Sequence, residues 1–143
     1  VDRAWHGQLN KFLAAEKAAV VTWDVILDAN REGPGDSAMA RDTRLAIAAG
    51  TRVVVGASTS RVPMESRPGT EGPTQPLTNI EGDPRNIHGD AHGLLPFREL
   101  REAGWWGVVD APRGADGIIR EIPLITRVGG KYYPALALQT LLV

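Results

Sequence analysis

Few residues in this chain combine a reactive side chain with a spacing that chemistry can use. The sequence holds three histidines and no cysteine, which removes thiolate metal sites, cysteine nucleophiles and disulfides. His88, Asp90 and His92 alternate in the stretch "HGDAHG". Two-residue spacing in an extended loop can gather nitrogen and oxygen ligands for zinc or another divalent ion. No fourth ligand stands nearby, and a solvated glycine-rich loop accounts for the same letters, so no metal is assigned. Asp24 and Asp28 punctuate an apolar run, "VVTWDVILD". A strand-end carboxylate can accept a phosphoryl group, but that chemistry needs an acidic pair after an earlier strand, and only a helix precedes Asp24. The plainer role for both is to bond backbone groups or an arginine at the carboxyl edge of a sheet. That edge is also where open α/β sheets take ligands. Ser58, Thr59 and Ser60 end the stretch "VVVGASTS". They lack the GxSxG elbow of a hydrolase and the glycine patterns of a phosphate loop.

Arg120 is the fourth candidate. In "IIREIPLITRV" a strand places Ile118, Arg120, Ile122, Leu124, Thr126 and Val128 on one face. That face is mostly apolar, so Arg120 is expected to be partly buried and to need a carboxylate. Asp24, Asp28, Asp110 and Asp116 are the candidates. The pair either fixes strand register or leaves an anion-binding arginine at the mouth of a pocket. Pro123 removes a ladder donor, which suits an edge strand or a bulge.

The elements that must position these residues follow from periodicity. Trp5, Leu9, Phe12 and Leu13 share one face of a helix over 3–17. Residues 18–27 read as a strand buried on both faces. Residues 28–36 are a turn-rich loop, Asp36 can cap a helix over 37–49, and Gly50 can close it. Residues 52–58 form a second buried strand, so a right-handed crossover and a parallel pair are expected. Residues 59–93 lose apolar periodicity and read as a long loop, of a kind that is often functional or mobile, with a short strand near 76–80. Pro96 opens a helix over 96–103 that Gly104 ends. Strands follow over 105–110, with Trp105 and Trp106 on opposite faces, and over 117–128 after an Asp116-Gly117 turn. Gly129-Gly130 turns the chain into "KYY", and Pro134 opens a terminal helix. The fold class is α/β: one domain, a mixed sheet with a parallel amino-terminal part and an antiparallel carboxy-terminal meander, flanked by helices.

A length of 143 residues suits one core. The net charge of −1 gives no general pull towards nucleic acid or anionic lipid. No run of 18 or more apolar residues is present to span a bilayer. The chain begins at Val1 and ends on "ALALQTLLV". The expectation is a single domain, residues 1–143, excised from a longer protein.

The order of motifs resembles the second family of CHASE domains, the cyclase/histidine-kinase-associated sensory extracellular domains. Asp24-Val25-Ile26-Leu27 match its first strand. Asp42, Leu45, Ala46 and Ala48 match its helix, and Val53 to Val55 its next strand. The most specific block is carboxy-terminal: Gly107-Val108-Val109, Asp116-Gly117, Ile118-Ile119-Arg120 and Pro123-Leu124, then Tyr133-Pro134-Ala135-Leu136-Ala137-Leu138. The resemblance covers most of the chain except about residues 59–93.

It implies an extracytoplasmic, periplasmic or extracellular sensor of a bacterial membrane receptor, with a cytoplasmic histidine kinase, nucleotide cyclase or serine/threonine kinase as output. It implies no catalytic residue and no cofactor in this domain. The implied partners are an unidentified small-molecule or ionic ligand and a second copy in a receptor homodimer. Membrane contact is expected only through segments outside the chain. Asp42, Asp116, Gly117, Arg120 and Pro123 are expected to build the fold. Asp24, Asp28, Ser58 and Arg120 are expected to meet a ligand at the carboxyl edge of the parallel strands, roofed by the loop 59–93. The alternatives are a ligand-free dimerisation module, or a small α/β enzyme with only His6, His88 and His92 to supply a base.

Overall fold

Val53, Val54 and Val55 are buried, and their β-branched side chains favour the extended backbone they adopt. They lie in strand β2, Arg52–Ser60, around which the other elements assemble. The computed structural model describes residues 2–27, 33–63, 72–113 and 115–143. The helices are α1 (Ala4–Ala15), α2 (Pro34–Ala48), α3 (Arg98–Ala103) and α4 (Leu136–Leu142). The remaining strands are β1 (Val20–Ile26), β3 (Gly89–Asp90), β4 (His92–Leu94), β5 (Trp105–Val108), β6 (Ile125–Val128) and β7 (Lys131–Pro134).

Strand β2 pairs in parallel with β1 (Val21 opposite Val53) and with β5 (Val55 opposite Trp106). Its last residues pair antiparallel with β4, Ser58 opposite Leu94 and Ser60 opposite His92. The carboxy-terminal hairpin forms a separate sheet, β3-β6-β7. Gly129 and Gly130, at φ 58° and 81°, make its two-residue turn, a conformation other residues adopt at a steric cost. α2 and α1 cover the face to which Trp23 points. α4 lies on the other face, where Thr140 Oγ1 and Thr22 Oγ1 are 2.9 Å apart. Trp106 and Tyr133 stack with ring centroids 4.6 Å apart in the shared core with Met39, Leu95, Leu100 and Val128. The α/β class and the parallel-then-antiparallel order are as expected.

Helix α1 differs from expectation. It buries Arg3, Gly7 and Asn10, while Trp5 is 65%, Leu9 41% and Phe12 60% exposed. The reason is the crossing with α2. A Cβ on Gly7 would stand 2.8 Å from Met39 Cα, so only glycine allows this approach. Arg3 Nη1 bonds Asp36 Oδ1 at 3.1 Å, and Asn10 Nδ2 donates to Thr43 Oγ1 at 3.0 Å. Trp23 Nε1 donates to Asn10 Oδ1 at 2.9 Å. These directed bonds set the helix rotation, and the apolar stripe is left facing outward.

Four further expectations change. Asp36 does not cap α2; the helix starts at Pro34 after Gly33, and the Asp36 carboxylate is bonded by Arg3. β1 is an outer strand with Val20, Thr22, Asp24 and Val25 exposed, because the parallel sheet has only β1, β2 and β5. The stretch 59–93 carries the end of β2, a bridge from Leu77 to Tyr132, a 3-10 turn at Pro84–Asn86, β3 and β4. The expected strand 117–128 is reduced to β6. Pro123 lies just before it, and residues 118–122 are exposed, with one bridge between Ile119 and Arg113.

Asn10→Ala is expected to lower unfolding free energy by about 2–3 kcal/mol, because it strands a buried hydroxyl and an indole N–H. Urea denaturation followed by Trp fluorescence measures this; an unchanged midpoint would contradict the role given to Asn10.

Candidate functional site

Parallel pairing of β2 and β5 brings their carboxyl ends together, with Ala57 opposite Val108. Asp110 follows β5 and reaches the polar tail of β2. Its carboxylate accepts from Ser58 Oγ and from the Thr59 backbone N–H, each at 2.5 Å. Thr59 Oγ1 donates to Asp90 Oδ2 at 3.0 Å, and Arg61 Nε lies 3.5 Å from Asp90 Oδ1. This half-buried network ties β2 to the start of the 110–125 segment and to β3. It is a set of satisfied bonds. Among the described residues no histidine bonds Ser58, so the hydroxyl has a carboxylate acceptor but no imidazole base.

The chain leaving Asp110 lines two adjoining cavities. One, of about 230 Å³, is lined by Pro112, Arg113, Ile118, Arg120 and Glu121. The next, of about 390 Å³, shares Pro112 and Glu121 and adds Asn86, His88, Ile122 and Leu124. Together they form a groove with two guanidinium groups at one end and an aliphatic wall at the other. Ligand sites commonly have a few hundred Å³ of space, an apolar lining and a few convergent polar groups. A third hollow of about 630 Å³ lies beyond Ile125, between Leu77, Ile80 and the α4 residues Leu138 and Leu142.

Arg120 is exposed, against the expectation of partial burial. Residues 118–122 do not join a sheet, so there is no apolar face to bury it. Its partner is Asp116, at 3.0 and 2.6 Å. Asp116 Oδ1 also accepts from the Ile118 N–H at 3.1 Å, and Gly117 has φ 78° in this turn. The Arg120 guanidinium, then the Ile118 N–H, hold the Asp116 carboxyl below the usual carboxylate range, and Asp116 in turn raises Arg120.

The other expected residues are dispersed. Ser58 is in the network described above. Asp24 is exposed on β1, on the far side of β2 from Asp110. Asp28 lies outside the described residues. Asp42 is buried on α2, where its carboxylate accepts from Arg41 Nε at 3.0 Å and lies 3.7 Å from Lys11 Nζ. His88, Asp90 and His92 do not converge: Asp90 turns to Thr59 and Arg61, and His88 is exposed. Among the described residues no three histidine or carboxylate groups stand close enough to hold a metal ion. Sequence reading missed Asp110 as an anchor and Arg113 and Glu121 as lining. The signal available for Asp110 was its place one residue past "GVV", matching the strand end at Ser58.

Asp110→Ala removes the acceptor of two half-buried donors and is expected to cost about 1.5–3 kcal/mol of stability, read from the shift in the urea midpoint. Asp116 should titrate below an ordinary aspartate by carboxyl NMR, and Arg120→Ala should return it upward. Its folded value is depressed, so any stabilisation it gives is present above the unfolded value and lost as pH falls through the folded one. Unchanged titration in Arg120→Ala would contradict the pairing.

Among the described residues no helix is long and apolar enough to cross a membrane. Comparison with curated proteins and with solved structures gives no match. A family model described as the CHASE2 domain matches residues 1–143, the whole chain. Asp42 on α2 faces Lys11 of α1, Asp116 and Gly117 form a local turn, and Tyr133 packs on Trp106. The chain therefore belongs to the CHASE2 family of extracellular sensory domains.

Proposed function

We propose that this chain is the signal-input domain of a bacterial membrane receptor. It takes a small ligand with an anionic end and an apolar body in the groove between residues 86–88 and 112–125. The observation that carries this reading is the convergence of Arg113 and Arg120 on a cavity that adjoins an aliphatic one. Guanidinium groups recognise carboxylate or phosphate through paired N–H donors. Asp116 already occupies Arg120, so an incoming anion would share or displace that carboxylate. The groove walls come from two segments that lead separately into β3 and β6. A ligand touching both favours the arrangement in which they are closed on it. The output would be a cytoplasmic histidine kinase, cyclase or serine/threonine kinase, driven by that population shift through a receptor homodimer.

A thermal-shift screen with amino acids, dicarboxylates, fatty acids and phosphate esters tests this. A ligand at a hundredfold excess over its dissociation constant adds about 2.7 kcal/mol to the native state. The shift is expected to vanish in the double variant Arg113→Ala, Arg120→Ala and to persist in Asp24→Ala. Loss in Asp24→Ala alone would move the ligand to the β1 side of the sheet. No shift from any compound on well-folded protein would defeat the reading.

A further inference from the structure

The two edges of the parallel sheet are treated differently. The outer edge of β5 is covered: Thr74 Oγ1 accepts from the Trp106 N–H at 2.8 Å, and Val108 bridges Ala135. The outer edge of β1 has no partner strand among the described residues. Arg52 N donates to Ala19 O, which fixes the alternation of the ladder. Ala19, Val21 and Trp23 turn their backbone groups to β2, so Val20, Thr22 and Asp24 turn theirs outward. Protein edges are usually blunted by charge, proline or a bulge. β1 has no proline and one charged residue, Asp24, and its irregularity comes only after Trp23.

The apolar stripe of α1 lies on the same side. α1 sits over β1, with the His6 and Trp23 rings 4.9 Å apart. Gly7 and Lys11 turn to α2, and His6 and Asn10 to β1. At 100° per residue, Trp5, Leu9 and Phe12 then point away from α2, past the open edge. A strand edge with no partner among the described residues and an exposed aromatic stripe are thus contiguous.

The geometry points to a second copy of this chain as the occupant, paired across a two-fold axis through β1. It deepens the receptor reading by naming the surface of its homodimer, and it does not depend on the groove. Two features favour self-association. First, a two-fold axis at Thr22 pairs Thr22 with itself and Val20 with the second copy's Asp24. All outward N–H and C=O groups of these residues are then used, and no like charges face each other. Second, antiparallel β1 strands bring the two α1 helices side by side and antiparallel. Their dipoles oppose favourably, and Asp2 at one end comes beside Lys17 of the other copy; both are exposed. Trp5 and Phe12, at 65% and 60% exposed, alone offer roughly 300 Å² per copy. Leu9, Val20, Val25 and the strand edge extend this towards the roughly 800 Å² per partner of a stable pair.

Sedimentation equilibrium of the chain, with single-cysteine cross-linking, tests the surface. The sequence has no cysteine, so each introduced thiol reports alone. Thr22→Cys would sit about 5.5 Å Cα to Cα from its copy, within disulfide reach, and should cross-link under mild oxidation. Lys131→Cys, on the hairpin of the second sheet, should not. Trp5→Glu, at an exposed site, should weaken the dimer at least tenfold with its circular dichroism unchanged. Three results would each overturn the proposal: a monomer at about 1 mM, equal cross-linking of the two cysteine variants, or an unaltered dimer in Trp5→Glu. None of them touches the groove, whose ligand shifts are read on monomer or dimer alike.

Discussion

Strand β2 carries backbone hydrogen bonds on both edges, and its last three residues bend away to a third strand. The rest of the domain takes its position from that ladder. β1 and β5 are registered on it, α2 is the crossover that joins β1 to it, and α4 packs across the opposite face of all three strands. Gly107 lets the start of α4 approach, since a Cβ there would stand 2.6 Å from Leu136 Cα. The polar network of Ser58, Thr59, Asp90 and Asp110 is the carboxyl end of the same ladder. It converts the strand register into a position for the segment that lines the groove.

The described residues divide into a well-packed part and an exposed one. The packed part is the three-stranded parallel sheet with α1 and α2, whose interface combines close backbone approach with buried, paired polar groups. Such groups are costly to leave unpaired, so they enforce one helix rotation. The other part is residues 115–122, whose side chains are exposed and whose local turn is held by Asp116, in a segment that starts at the anchored Asp110. Segments with few buried contacts open at low free-energy cost. In the proposed function, a ligand in the groove would order this exposed wall against the packed frame.

Much of this was legible in the sequence. Val53 to Val55 read directly as a buried strand, because a β-branched run between turn residues has few alternatives; its central place came from the pairing. Gly129-Gly130 read as a hairpin, and Trp105 and Trp106 as opposite faces of one strand. Asp116 was among the carboxylates open to Arg120, and four residues of spacing are enough for a local pair. The amphipathic pattern of α1 was also visible, but not the direction of its apolar face. A stripe of Trp5, Leu9 and Phe12 has the same periodicity whether it meets the core or the outside. Only Gly7 hinted otherwise, and a helical glycine is ambiguous until its neighbour is known.

The sequence by itself determined the α/β class, the early helix and the strands β1 and β2, the Gly129-Gly130 turn and the family, because these depend on local sterics and on periodicity within one segment. The tertiary structure decided what depends on residues far apart in the chain. It set which face of α1 is buried, through Asp36, Thr43 and Trp23. It left Arg120 exposed, because residues 118–122 have no sheet to join. It placed Asp110 against Ser58, a contact 52 residues apart that exists only because β2 and β5 run in parallel.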